Sequence, residues 1–237
     1  MDIKISYQPS YSMASVRLGP NEAIRTEAGA MVAMSPGITL ETKMQGGLLK
    51  SLARSILGGE SLFINNYQAG ADGGVMNLAP VLPGDMFVLN LNNESMILQS
   101  GAFVASESGT ELDTKWGGAK TFFSSEGLIM LKAAGTGSLI VSSYGAIHEM
   151  NLDAGQKLTV DTGHLVAFTE GIGYDVRTIG GIKSTLFSGE GLVVDLTGPG
   201  RALLQTRSQD AFLAWLIPRL PASDGSGGSG VNVRLGG

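Results

Sequence analysis

The sequence predicts an all-β protein built from three repeated units. Two short phrases carry this prediction, because they recur in the same order three times. The first phrase is Gly-x-x-Val-Ala, at residues 29–33, 101–105 and 163–167. The second surrounds a glutamate, and its copies lie about 65 residues apart, a period too long for a solenoid repeat but suited to a small β unit. The 35 glycines among 237 residues stand mostly between apolar runs, which is typical of many short strands.

Length and composition limit the class of protein. A chain of 237 residues with 43% apolar content can bury a substantial core, so we expect one compact body. The net charge is −5 and the 16 basic residues are spread thinly, so a nucleic-acid partner is not expected. The chain has no cysteine, which excludes disulfides, thiolate metal sites and a cysteine nucleophile.

The start of the chain carries no targeting pattern. Met1-Asp2-Ile3-Lys4-Ile5-Ser6 lacks the basic and apolar regions of a signal peptide. Nowhere does an apolar stretch approach the roughly 18 residues that would span a bilayer. We therefore expect a cytoplasmic protein.

The predicted units are residues 1–80, 81–148 and 149–221. Each begins with a turn and a strand, passes through the Gly-x-x-Val-Ala phrase to a double glycine and the glutamate phrase, and ends in a closing strand. In the third unit Leu158 and Val160 alternate with polar residues, the pattern of a half-buried strand. The predicted closing strands are residues 74–78, 138–142 and 201–205.

An inserted helix is predicted at residues 47–58 of the first unit. Its apolar residues recur at helical spacing, with Lys50 and Arg54 on the opposite face. Such a helix would either form a lid on the β body or be a cationic element that contacts a membrane or a partner. We favour the lid, because a helix of about 15 Å buries too little area for firm membrane attachment.

A second helix is predicted near the C-terminus. It begins after the N-cap residue Ser208 and ends before Pro218. Its apolar residues cover more than one narrow stripe, so it would either pack deeply on the body or bury part of itself in a subunit interface. The Gly/Ser-rich residues 222–237 are predicted to be a flexible tail.

Several motifs resemble the AIM24 (altered inheritance of mitochondria) family over residues 14–221. They include the segments 27–37, 58–61, 82–85, 161–168, 187–192 and 205–208. The resemblance implies a fold similar to the trp RNA-binding attenuation protein (TRAP), with three TRAP-like β units around a pseudo-threefold axis. Bacterial members of the family are largely of unknown function, and a fungal member is associated with mitochondrial inner-membrane organisation. The resemblance brings no catalytic residues. The chain departs from the pattern at Ser61, where the other copies of the glutamate phrase have glycine, and in its tail.

The sequence offers little material for catalysis. Its two histidines are His148 and His164, too few for a multi-histidine metal site. Asp161 and His164 could form an acid–histidine pair with Ser184 or Ser188, but no Gly-x-Ser-x-Gly elbow is present. We favour a structural role for His164. The glycine pairs at 135–137 and 198–200 lack the lysine and the helix of a phosphate loop, and we interpret them as hairpin turns.

The candidate site is the glutamate triplet Glu60, Glu126 and Glu190. If a threefold axis brings the three carboxylates together, they would bind a cation or shift each other's pKa values. The alternative, which we favour, is that each glutamate accepts backbone N–H bonds at the glycine turn of its own unit.

These observations predict a non-enzymatic binding or scaffolding protein that forms a homo-oligomer and contacts an unidentified protein partner. Sheet edges on repeated units must be paired or protected, which is why we expect association. The alternative is a small-molecule-binding protein with clefts between the β units as its sites. Membrane-surface association and enzymatic activity rank below both. No cofactor and no metal are predicted.

Overall fold

The computed structural model describes residues 1–41, 64–113, 130–179 and 192–221. These residues are mostly β, as predicted, with one short α-helix near the C-terminus. The predicted inserted helix at 47–58 and the predicted tail at 222–237 lie outside the described residues.

The strands follow one another with short connections, as the glycine punctuation predicts. In chain order they are β1 (Asp2–Ser6), β2 (Met13–Leu18), β3 (Ala23–Glu27), β4 (Met31–Met34), β5 (Ile38–Glu41), β6 (Ile64–Ala69), β7 (Gly74–Leu78), β8 (Met86–Gln99), β9 (Phe103–Glu107), β10 (Thr110–Asp113), β11 (Met130–Ser142), β12 (Ile147–Leu152), β13 (Lys157–Asp161), β14 (Leu165–Thr169), β15 (Gly173–Thr178), β16 (Leu192–Thr197) and β17 (Gly200–Gln205). The helix α1 is Gln209–Leu216, and single 3-10 turns occupy Ser100–Ala102, Thr162–His164 and Ile217–Arg219. The predicted boundary between residues 148 and 149 falls inside β12.

Three sheets contain these strands, and each pair of neighbouring strands is antiparallel. One sheet has the order β1-β2-β7-β4 and another has the order β13-β16-β15. The third is a ten-stranded sheet with the order β12-β17-β14-β8-β11-β9-β3-β6-β5, in which β10 also pairs with β11. In this arrangement β4 and β13 are each the last strand of a smaller sheet.

The long strands β8 and β11 form the middle of the largest sheet. They pair from Met86 opposite Ser142 to Gln99 opposite Met130, with a register shift between Gly135 and Thr136. Gly135 has a φ of 116°, a backbone conformation that glycine adopts far more readily than other residues. The hairpin turn predicted at 135–137 is therefore wrong, because these residues bend β11 at a bulge.

The turn predicted at 198–200 is present but does not form a hairpin. It joins β16 to β17, and these two strands belong to different sheets. Gly198 instead bonds across to the turn after β12, where its N–H donates to the Gln156 carbonyl at 2.9 Å. The connection thus carries the chain from one sheet to the next.

Buried side chains form three core clusters. The first lies around β2, β3 and β7, the second around β8 and β11, and the third around β13, β16 and β17. In β13 Val160 is buried while Lys157 and Thr159 are exposed, which confirms the alternation predicted for this strand. Full burial of one such aliphatic side chain contributes about 1.5–3 kcal/mol, so these clusters supply the main stabilisation of the fold.

The C-terminal helix begins as predicted. Ser208 is the N-cap, and its hydroxyl accepts a hydrogen bond from the Ala211 N–H at 3.3 Å. Asp210 in the first turn is favourable beside the positive end of the helix dipole. No residue of α1 is buried, so the alternative of deep packing on the body is wrong.

Candidate assembly surface

The strand β4 has an apolar surface on an open edge. Met31, Val32 and Met34 are 39%, 56% and 40% exposed. On one side β4 pairs with β7, and on the other side no strand among the described residues pairs with it. An edge strand with large apolar side chains and no covering charge is a surface on which another strand can pair.

The strand β13 is an edge strand of the three-stranded sheet. It pairs with β16, and its other side has no strand partner within the described ranges. The Thr159 hydroxyl donates to Asp195 Oδ1 at 2.5 Å, and Arg177 Nε donates to Asp195 Oδ2 at 2.6 Å. The Arg177 hydrogen bond is the main reason that the pKa of the Asp195 carboxyl is lowered. This face of the three-stranded sheet is therefore polar.

Two interior seams join strands that are distant in the chain. The first seam pairs β3 with β9, with Thr26 opposite Ala105 and Ile24 opposite Glu107. A side-chain contact supports it, since Arg25 Nη2 donates to the Ser108 carbonyl at 2.7 Å. Ser108 in turn donates its hydroxyl hydrogen to the Ala23 carbonyl at 3.2 Å, so the two strand ends are tied in both directions.

The second seam pairs β8 with β14. Leu98 lies opposite Ala167, and Ile97 lies opposite Phe168. Beside it Lys132 Nζ donates to Glu170 Oε1 at 2.6 Å. This hydrogen bond is the main cause that lowers the pKa of the Glu170 carboxyl. A lowered pKa means that folding favours the ionised carboxylate. The ion pair therefore stabilises the seam at pH values at which Glu170 is charged.

The Glu170→Gln variant is expected to lose stability in a pH-dependent way. At neutral pH the loss in the free energy of unfolding should be below about 1 kcal/mol, because the pair is partly exposed to solvent. The contribution is present above the unfolded pKa of roughly 4.3 and disappears as the pH falls through the lower folded value. Denaturant unfolding of both proteins between neutral and acid pH measures this difference.

The matched control is Glu149→Gln. Glu149 lies 3.9 Å from Arg201, a looser ion pair of similar exposure. Its effect at neutral pH should be the smaller of the two. A loss for Glu170→Gln that is the same at acid and neutral pH would contradict the electrostatic explanation.

A second exposed apolar surface is α1 with the turn that follows it. Phe212, Trp215, Ile217 and Leu220 are all exposed. The Phe212 ring contacts the edge of Tyr144 at a centroid distance of 6.1 Å, and the Arg219 guanidinium lies 4.8 Å from the centre of the Trp215 ring. The Phe212–Tyr144 pair thus joins the helix to the turn before β12, whereas the Arg219–Trp215 contact lies within the helical segment. The prediction that the helix enters a subunit interface stays a prediction.

The motif residues before β8 hold together distant parts of the backbone. The Gly84 carbonyl accepts the Ser12 N–H at 3.0 Å, and the Asp85 N–H donates to the Gly145 carbonyl at 2.8 Å. The Asp85 carboxylate accepts the Ser12 hydroxyl at 3.1 Å and its own neighbour's N–H, that of Met86, at 2.8 Å. This aspartate is a structural acceptor at the point where the turns before β2, β8 and β12 meet.

The motif at the end of β17 has a similar role. The Gln205 side-chain amide donates to the Gly163 carbonyl at 2.8 Å, and its side-chain oxygen accepts the Tyr144 N–H at 2.9 Å. The next residue, Thr206, accepts the Ala146 N–H through its hydroxyl at 3.0 Å. Sequence reasoning missed these contacts. The segments 161–168 and 205–208 are both among the family motifs, and this could have indicated that they share a structural role.

The acid–histidine pair considered for catalysis is engaged with the backbone. His164 Nδ1 lies 2.7 Å from the Gln205 carbonyl oxygen, which can only accept, so this nitrogen donates. Asp161 Oδ1 accepts the Gly163 N–H at 2.8 Å and caps the short 3-10 turn. These contacts fit the structural role that we favoured for His164. Ser184 and Ser188 lie outside the described residues.

The glutamate triplet also falls outside what the structure describes, since Glu60, Glu126 and Glu190 all belong to its gaps. Whether they converge stays a prediction. In the four described ranges no group of three or more potential ligand side chains could hold a metal ion. Among the helices of the same ranges, none has the length and apolar character needed to cross a membrane.

The fold and these contacts define a mostly β protein whose described motif residues hold its own backbone together. Comparison with known proteins identifies its family. A family model described as mitochondrial biogenesis AIM24 matches residues 3–207, and the chain belongs to this family. The resemblance inferred from the motifs is thus confirmed.

Relatives from one bacterial species match nearly the whole chain. An uncharacterised protein of Streptococcus pyogenes serotype M6 is 29% identical over 232 residues, which cover 94% of this chain and 92% of that protein. The crystal structure of a Streptococcus pyogenes protein superposes with a TM-score of 0.78 at 27% identity. That match covers 92% of this chain and 99% of the other, so the two share one fold over nearly their whole lengths.

Proposed function

We propose that this protein is a non-enzymatic scaffolding or binding protein, built from three TRAP-like β units, that works as a homo-oligomer. The observation that carries the proposal is a strand pairing that recurs along the chain. The pairs β2 with β7, the first half of β8 with the end of β11, and β12 with β17 occupy equivalent places in the three predicted units.

A shared irregularity supports the repeat. In each predicted unit the strand that contains the Gly-x-x-Val-Ala phrase pairs with the closing strand through a register shift beside the phrase's valine and alanine. Met31 and Ala33 lie opposite consecutive residues of β7, Phe103 and Ala105 opposite consecutive residues of β11, and Leu165 and Ala167 opposite consecutive residues of β17. Bulges are defined features of a fold, so their coincidence with the repeated phrase favours duplication of one unit.

The two seams join successive units in the same way. In each seam, the phrase-bearing strand of one unit extends a sheet of the unit before it. Among the described strands, β4 of the first unit and β13 of the third unit are the two that have no seam partner. Open edges of this kind favour association, and the structural hydrogen bonds of the described motif residues are compatible with a non-enzymatic role.

Native mass spectrometry tests the proposal. The protein, purified without chelator, is expected to give a mass that is a multiple of the 24.6 kDa chain, with no further mass lost on denaturation. A single-chain mass at micromolar concentration would contradict oligomeric assembly. An additional mass that disappears on denaturation would favour the alternative function, a ligand held in clefts between units.

The other predictions have separate tests. Charge reversal at Lys50 and Arg54, which lie outside the described residues, should release the protein from anionic vesicles if the predicted inserted helix contacts membranes. Glu60, Glu126 and Glu190 replaced together by glutamine should abolish a bound cation if they form a site. Cytoplasmic location also stays a prediction.

A further inference from the structure

We propose that the exposed edge of β4 pairs with β13 of a second copy of this chain, forming between chains the same seam that occurs twice within one chain. The inference deepens the proposed homo-oligomeric function and rests on it, because it names the two surfaces that meet. It follows from a comparison of equivalent residues in the three phrase-bearing strands and in the three strands that precede them.

The exposure of the valine in each Gly-x-x-Val-Ala phrase shows whether another strand packs against that phrase. Val104 and Val166 are both 0% exposed, whereas Val32 is 56% exposed. Val104 belongs to the first core cluster, which is otherwise formed largely by residues before it in the chain. Val166 likewise enters the second cluster. Each buried valine therefore fills the core of the preceding unit, whereas Val32 lies in the first of the three units, on a strand that has no described strand beside its open edge.

The edge that would receive β4 is the unpaired side of β13. Ile24, Met96 and Leu158 each stand five positions before the glycine of a phrase. Ile24 and Met96 are 0% and 2% exposed, but Leu158 is only partly buried against the third core cluster. No residue of β4 belongs to that cluster. The third cluster is thus incomplete at the edge where the other two receive a strand.

The two existing seams fix the register of the proposed one. In both, the phrase's last residue lies opposite the residue three positions before the preceding phrase, namely Ala105 opposite Thr26 and Ala167 opposite Leu98. Applied to the open edges, this rule places Ala33 opposite Val160 and Met34 opposite Thr159. Burying the apolar surface of Val32 and Leu158 would supply a driving force of roughly 25 cal/mol per Å².

This contact is heterologous, since one chain offers β4 and the other offers β13. Head-to-tail association of this type closes into a ring when the rotation between copies permits it. The pseudo-threefold axis implied by the family resemblance would instead bring β13 and β4 of one chain together. Pairing of two β4 edges is the remaining alternative. The register distinguishes these arrangements, because it predicts which side chains become neighbours.

Cysteine crosslinking tests the register in a chain that has no cysteine of its own. Met34→Cys and Thr159→Cys replace exposed side chains, and directly opposite residues in antiparallel strands lie within disulfide range. A mixture of the two single variants, oxidised mildly, should yield a disulfide-linked dimer. The yield should exceed that of a Val81→Cys and Thr159→Cys mixture about tenfold, since pairing raises the effective thiol concentration. Val81 is 83% exposed and lies in the connection between β7 and β8.

Other outcomes overturn the inference. Met34→Cys that crosslinks to itself would indicate β4 with β4, and a double variant that forms only an intramolecular disulfide would indicate closure within one chain. If wild type is an oligomer but the mixture reacts no better than the Val81 control, the interface is wrong while the proposed assembly stands. A single-chain wild type would overturn both.

A second variant tests the same surface without a crosslinking reaction. Val32→Lys places a charge on the proposed edge, where lysine is known to prevent strand pairing. It should convert the oligomer to single chains in native mass spectrometry and leave the far-UV circular dichroism spectrum unchanged, which shows that the chain is still folded. Val81→Lys makes the same substitution at an exposed loop valine and should keep the wild-type mass. Equal masses for both variants and the wild type would overturn the inference.

Discussion

Phe168→Ala is expected to lower the free energy of unfolding by about 3–5 kcal/mol. The Phe168 side chain is fully buried in β14, where its Cα lies opposite that of Ile97 across the second seam. Its ring also packs at 5.6 Å from that of Tyr174. Truncation would leave a cavity in the third core cluster, next to the contact between two predicted units. Denaturant unfolding followed by circular dichroism measures the loss.

The chain contains a matched control in Phe212→Ala. Phe212 is 39% exposed on α1 and contacts Tyr144 and Trp215 only through ring edges and faces. Its truncation should cost about 1 kcal/mol or less, within the range of aromatic pair contacts. Equal losses for the two variants would mean that the second seam contributes little to the stability of the fold.

How far the fold could be predicted depended on whether the signal was local. The C-terminal helix was found because its N-cap serine and the proline beyond it are local signals, and the Ser208 hydroxyl indeed caps the Ala211 N–H. The alternation in β13 was found because Val160 faces a core on one side of the sheet while Lys157 and Thr159 face solvent on the other. Neither prediction required knowledge of distant contacts.

The middle unit was harder to interpret because its strands are continuous. The first predicted unit has a Gly-Pro turn between β2 and β3, with Glu22 closing it by a bond from the Gly19 N–H at 2.7 Å. At the matching place β8 runs on without a break, past Asn93 at a φ of 56°. The turn that separates β2 from β3 in the first unit therefore has no counterpart within β8. A bend in a long strand and a turn between two strands have similar composition.

The candidate surface could not be found from the sequence for a related reason. The three copies of Gly-x-x-Val-Ala are nearly identical, yet Val104 and Val166 are fully buried while Val32 is 56% exposed. That difference comes from which strand neighbours each copy, a property of the strand order in the sheets. The glutamates, which drew attention as the repeated charged residues, lie outside the described ranges, so their role still rests on sequence alone.

Gly84→Ala is expected to lower the free energy of unfolding by roughly 3 kcal/mol, the upper part of the range for overpacking. A Cβ at this position would overlap the Ser143 carbonyl oxygen. That atom belongs to the backbone and cannot rotate away, so the turns before β8 and β12 would have to separate. The displacement would also disturb the bond between the Gly84 carbonyl and the Ser12 N–H.

Gly101→Ala is the control, because a Cβ there meets no atom within 4 Å. Its effect should stay within about 0.5 kcal/mol in the same denaturant titration. If Gly84→Ala is as mild as the control, the turns tolerate separation and the Gly84 contact is not the junction of the units. If it is severe, a motif that carried the family resemblance acts through packing alone. A loss of function in such a variant would then have to be corrected for unfolding before it is attributed to a binding site.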